Sequence, residues 1–195
     1  SIDFSRIDAF HMDEYIGLSA DAPQGFGNFL RRGIFDRRDF HSVSYLAGEG
    51  TAEELCAGYT EKLAQAPIDI VCMGIGENGH IAFNEPPEKG DDITDEEFGS
   101  IGTRCLDISR ETITNNGKNK YRGALDIFPK RCVTLGMKQL LSAKVFKVYL
   151  YCDWQWGIMR KIGLEDVSKT APASYLQNHP NAEMVITQEL AEFSL

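Results

Sequence analysis

No two cysteines in this chain stand close enough to form a C-x-x-C pair. The five present, Cys56, Cys72, Cys105, Cys132 and Cys152, are scattered and odd in number. That pattern argues against a disulfide framework and suits a reducing compartment. The four histidines include no H-x-x-x-H spacing, so no metal is expected. A G-x-S-x-G elbow is missing, which leaves a serine nucleophile without its usual setting. No apolar run is long enough to span a bilayer and no signal-peptide pattern is visible, so no membrane partner is expected and the cytoplasm is the default location. Dense basic stripes are lacking too. There are only short runs such as Arg31-Arg32 and Arg37-Arg38, and a net charge of -9 argues against nucleic acid as a partner.

What is present belongs to a globular chain. Its 195 residues, 43% hydrophobic and 25% charged, suffice for one domain with a substantial core. Strand and helix patterns alternate, which favours an α/β fold with a parallel sheet. Strands are expected over 6–10, 68–73, 131–135, 145–151 and 183–187. Helical spacing follows Pro23 at Phe26, Phe29, Leu30 and Ile34. The capping-box sequence Thr51-Ala-Glu-Glu54 opens another helix, with Leu55, Cys56, Tyr59 and Leu63 inward. Further helical segments are expected over 137–143 and 154–162, and after the last strand. Residues 88–100 are acidic and read as a surface loop, and 115–120 as a polar, mobile stretch. Cys72 and Cys132 lie in apolar runs and read as small core residues. The first strand is a natural neighbour of the strand ending at Met73. A sheet that starts so early lacks the βα unit that usually precedes it. The expectation is therefore a single domain, 1–195, with that N-terminal unit missing.

One stretch is richer than the rest. In IDIVCMGIGENGHIAFNEPP, residues 68–87, a β-branched run ends in Gly74, Gly76 and Gly79, then His80, then Glu85. Glycines let a backbone turn sharply and approach a ligand closely. A strand end is where open α/β sheets hold ligands. The segment matches G-x-G-x-x-G, but Pro86 and Pro87 forbid the long helix that a dinucleotide site requires. An imidazole titrates near neutrality and moves protons at working pH, and Asn78 or Glu85 can fix its tautomer. The second constellation is HMDEYIGL, residues 11–18. Consecutive strand residues point opposite ways, so only one of Asp13 and Glu14 faces a given cleft. A capped surface turn is the alternative there.

MDEYIGL together with GIGENGHIAFNEP resembles the glucosamine-6-phosphate deaminase/isomerase family. The similarity continues through FPKRCVTLGMKQLLSAKVFKVYL and SYLQNHPNAEMVIT. The resemblance implies a three-layer, Rossmann-like α/β fold, a mostly parallel sheet flanked by helices and no dinucleotide. It implies an amino-sugar phosphate as small-molecule partner, of the glucosamine or galactosamine type, and no cofactor. The family includes monomers and larger assemblies, so a homo-oligomer is allowed. By motif, Asp13 shuttles a proton between C2 and C1 of the open sugar, His80 serves the ring oxygen, and Glu85 supports His80. Asn78 stands where an aspartate often pairs with the histidine. Glu14, Gly74, Gly76, Gly79, Arg104, Arg110 and Gln155 complete the substrate-binding set. The family's phosphate-binding arginine aligns with Glu111 or Thr112, with Arg104 and Arg110 nearby, and its phosphate-binding lysine aligns with Gln155. An amide cannot replace an ammonium's charge. The sister 6-phosphogluconolactonases typically have DER for DEY and lack FNEP. A lactonase-like hydrolase and a non-catalytic sugar-phosphate-binding protein are the competing readings.

Overall fold

The computed structural model describes residues 2–46 and 51–192, the side chains of 119 and 120 excepted. In chain order the first elements are β1 (Asp8–Phe10), β2 (Asp13–Tyr15), α1 (Phe26–Gly33), β3 (Ser42–Ser44), α2 (Ala52–Leu63) and β4 (Ile70–Met73). There follow α3 (Asp95–Gly99), β5 (Arg104–Asp107), α4 (Arg110–Lys120), β6 (Arg131–Thr134) and α5 (Met137–Leu141). The chain continues with β7 (Val145–Leu150), α6 (Trp156–Leu164), β8 (Ala182–Ile186) and α7 (Gln188–Glu192). These form two compact units, Ser1–Glu61 with Arg104–Thr134, and Lys62–Thr103 with Leu135–Leu195.

In the first unit β1 pairs with β3 in parallel, and β6 takes β2 and β5 as antiparallel neighbours. The capping box at Thr51 forms: Thr51 N–H donates to Glu54 Oε2 at 2.8 Å, and Glu54 N–H donates back to Thr51 Oγ1. It starts α2 by satisfying amides that have no partner inside the helix. From α2, Cys56 and Tyr59 turn inward, and the Tyr59 hydroxyl donates to the His11 carbonyl at 2.6 Å.

The second unit is built on the parallel ladders β4–β7–β8. Along β7 burial alternates, with Phe146, Val148 and Leu150 each at most 1% exposed. This is the period-two signature of a strand with one face in the core. Burying each such side chain contributes roughly 2 kcal/mol. Met137 and Leu140 of α5 are fully buried in the same unit.

The architecture is mixed α/β with mostly parallel ladders, but several local expectations need correction. Among the described residues β1 pairs with β3 and β4 with β7, not β1 with β4. The acidic 88–100 stretch contains α3, because Thr94 and Glu97 make a complete capping box and Phe98 is buried. Residues 115–120 are the last turns of α4, whose first turn is capped by Ser109. Gly117 lets α4 pack closely: a Cβ there would stand 2.3 Å from Leu125 Cδ2. Cys72 is exposed, since it falls on the outer face of β4, while Cys132 is buried.

Candidate active site

The second unit carries the histidine loop. Beyond β4 the chain closes a tight turn, with Gly79 N–H donating to the Gly76 carbonyl at 3.0 Å and Gly76 N–H to the His80 carbonyl at 3.1 Å. Gly79 has φ +87, a left-handed conformation that glycine adopts without strain. The imidazole lies directly against the Gly76 backbone, where a Cβ would stand 2.0 Å from His80 Cε1. Asn78 Oδ1 accepts from the His80 backbone N–H at 3.2 Å and sits 2.7 Å from ring Nδ1. An oxygen that already accepts a main-chain N–H orients the amide, so Nδ1 carries the proton and donates. The Nε2 lone pair is then the ring's basic site. Burial pushes the His80 pKa below the usual histidine range, opposed by the negative charges of Glu77 and then Glu85.

The FNEP segment is held as firmly. Ile81 and Asn84 form a bridge across a turn in which Ala82 has φ 54. The fully buried Asn84 donates from Nδ2 to the Ile81 carbonyl at 3.0 Å and the Leu135 carbonyl at 2.8 Å. Phe83 is 2% exposed. These anchors carry the half-buried Glu85 at the end of the loop. Gln155 is buried as well. Its Oε1 accepts from Tyr151 and Cys152 N–H, both at 3.0 Å, and its Nε2 donates to the Ile75 carbonyl at 2.9 Å. The carboxamide thus ties the loop after β4 to the loop after β7. Gly74 makes only ordinary contact, a Cβ there lying 3.7 Å from the Tyr149 carbonyl.

In the first unit the DEY strand β2 separates its two acids. Glu14, 8% exposed, turns to the start of α1: its carboxylate accepts from the N–H groups of Tyr15 at 2.9 Å, Phe26 at 3.1 Å and Gly27 at 2.8 Å. It is the anionic cap of that helix, a structural position. Asp13 projects from the other side of the strand. Its register partner on β6 is Thr134, and the partner of Thr134 on β5 is Arg104. Directly opposed residues share a face, so Asp13, Thr134 and Arg104 form one row. The outer two are separated by two strand spacings, roughly 10 Å. Burial lowers the Arg104 pKa. Arg110, at the first turn of α4, is exposed, and Thr112 is fully buried.

Three members of these arrangements carry no role in the sequence reading. Asn84 lies inside the quoted motif, but its clamp on Leu135 depends on a contact 51 positions away. Thr134 enters only through strand register. Glu77 belongs to no motif reading, and its Oε1 is buried. Among the described residues no group of three or more His, Cys, Asp or Glu is placed to hold a metal ion. None of their helices is long and apolar enough to cross a membrane.

No protein-family model matches the chain. Its fold is that shared by amino-sugar-phosphate deaminases and 6-phosphogluconolactonases. The structure of a monomeric glucosamine-6-phosphate deaminase of the NagB superfamily matches with a TM-score of 0.85 at 27% identity, covering 98% of this chain and 77% of that one. The 6-phosphogluconolactonase from Thermotoga maritima matches in fold, with a TM-score of 0.71 at 17% identity, over 95% of this chain and 75% of that one. In sequence, the glucosamine-6-phosphate deaminase of Lactobacillus delbrueckii subsp. bulgaricus (strain ATCC BAA-365 / Lb-18) is 31% identical over 193 residues, 97% of this chain and 77% of the relative. The deaminase of Streptococcus pneumoniae (strain 70585) is 29% identical over 190 residues, 97% and 76%. The chain belongs to the glucosamine-6-phosphate deaminase family.

Proposed function

We propose that this protein is an amino-sugar-6-phosphate isomerase/deaminase that acts on glucosamine 6-phosphate or its galactosamine epimer in the cytoplasm. Family membership supports the reaction class, and five free thiols fit a reducing compartment. The observation that carries the reading is the His80 loop, where a fixed Nδ1–H tautomer leaves Nε2 free to exchange a proton. His80 passes a proton to or from the ring oxygen as the pyranose opens. Asp13 takes the proton from C2 and returns it to C1, a task that suits a carboxylate acting on a carbon acid. The resulting fructosimine adds water and releases ammonia. Glu85 supports the imidazole, and Arg104 and Arg110 are the candidate phosphate partners.

Ammonia release from glucosamine 6-phosphate and galactosamine 6-phosphate tests this directly. Turnover of at least one, abolished in Asp13→Asn, is expected. His80→Gln should remove activity on the cyclic sugar and spare a pre-opened analogue, and equal loss on both would contradict the division of labour. A second reading, a non-catalytic sugar-phosphate-binding protein, is favoured by Gln155, a neutral amide already committed to backbone where the family has a lysine. Tight binding of either sugar phosphate without ammonia release would select it.

A further inference from the structure

The turn between Gly76 and His80 holds another carboxylate, Glu77, outside the chemistry assigned to Asp13, His80 and Glu85. Two backbone hydrogen bonds close this turn, so Glu77 is fixed between the glycine under the imidazole and the asparagine that bonds it. The ring is in direct contact with Gly76: a Cβ there would stand 2.2 Å from Nε2 and 2.4 Å from Nδ1. Residue 77 leaves the backbone only one Cα–Cα step, about 3.8 Å, from that point. Its Oε1 is shut off from solvent and accepts no hydrogen bond. A carboxylate oxygen so placed is costly unless a positive charge lies close by. An imidazolium at His80 is such a charge. Asn78, the direct partner of Nδ1, brings none.

We propose that Glu77 is a positioning residue that supplies, through space, the negative charge missing from the histidine's hydrogen-bond partner, and so keeps His80 able to hold a proton. The proposal rests on the reading of His80 as the ring-opening group. Among the described residues the charges acting on the ring are Glu77 and Glu85, both favouring the protonated form against burial, with Glu77 the stronger. A charge acting without a hydrogen bond leaves the tautomer to Asn78 and adjusts only the proton affinity.

The test is the imidazole titration of His80 followed by NMR in the free protein, alongside the pH profile of kcat/KM for ammonia release. In Glu77→Gln the midpoint should fall by about half a unit or more, and by more than in Glu85→Gln. The acid limb of kcat/KM should fall with it. Glu77→Ala, which can form no substitute hydrogen bond, should move the midpoint the same way. Adding Asn78→Asp to Glu77→Gln should raise it again. A midpoint unchanged in both Glu77 variants, or moved more by Glu85→Gln, overturns the proposal. The titration is independent of turnover. A chain that titrates as expected but releases no ammonia upholds Glu77 and refutes the ring-opening assignment.

Discussion

At the scale of single residues, the histidine loop depends on one hydrogen atom. His80 is packed so closely against Gly76 that even a methyl group there overlaps the ring. In Gly76→Ala either the imidazole leaves Asn78 or the turn opens, and both uncouple Nε2 from its fixed tautomer. We expect kcat/KM to fall by roughly 100-fold, the scale of a misplaced general acid–base. Steady-state kinetics would show it, with a thermal melt to separate misplacement from unfolding. Within 20% of wild-type kcat/KM, the close packing would be irrelevant to turnover. This constraint was partly legible in the sequence. Three glycines before a histidine announced a tight backbone approach, but which glycine lies under the ring is a three-dimensional fact. The adjacent acids of DEY show the same limit. Alternation said that only one faces a given cleft, and hydrogen bonding assigned Glu14 to the α1 amides.

At the scale of elements, two thiols that look unrelated in sequence are brought together. Cys56 on α2 and Cys105 on β5 approach to 3.2 Å between sulfurs. Burial raises the Cys56 pKa to about 12, so at neutral pH it remains a thiol and attacks slowly. Treatment with hydrogen peroxide, which takes up two electrons and two protons from the pair, is expected to join α2 to β5 by a Cys56–Cys105 disulfide, faster at alkaline pH. Peptide mapping by mass spectrometry identifies the bond. Linkage through Cys72, Cys132 or Cys152 instead would contradict the assignment. α2, β4, β6 and β7 follow their patterns, whereas β2 and β3 have three residues each, and β5, as long as β4, begins and ends on the charged Arg104 and Asp107 and carries little apolar signal. α3 carries the same T-x-x-E capping signature as α2, masked by the acidic residues around it.

For the whole molecule, His11 makes folding depend on pH. It is 1% exposed, neither ring nitrogen has a hydrogen-bond partner, and burial lowers its pKa to about 4. Unfolded, it titrates near 6.5. Between those values the unfolded chain binds the extra proton, so stability rises with pH. The contribution is complete above about pH 6.5 and is lost as pH falls toward 4, amounting to roughly 3 kcal/mol. Urea unfolding from pH 7 to pH 4 should show that loss, and His11→Leu should flatten the curve over this window. A wild-type curve already flat there would refute the assignment.

The order of residues settled the alternation of strands and helices, the two acid- and histidine-bearing loops and their family likeness, because these depend on local spacing and residue type. Register and burial were decided only by the tertiary structure. It set Asp13 in a row with Thr134 and Arg104, committed Gln155 to backbone and enclosed a carboxylate oxygen of Glu77. The physical reason is that pairing, desolvation and hydrogen-bond choice are properties of neighbours in space, many of them 50 or more positions apart along the chain.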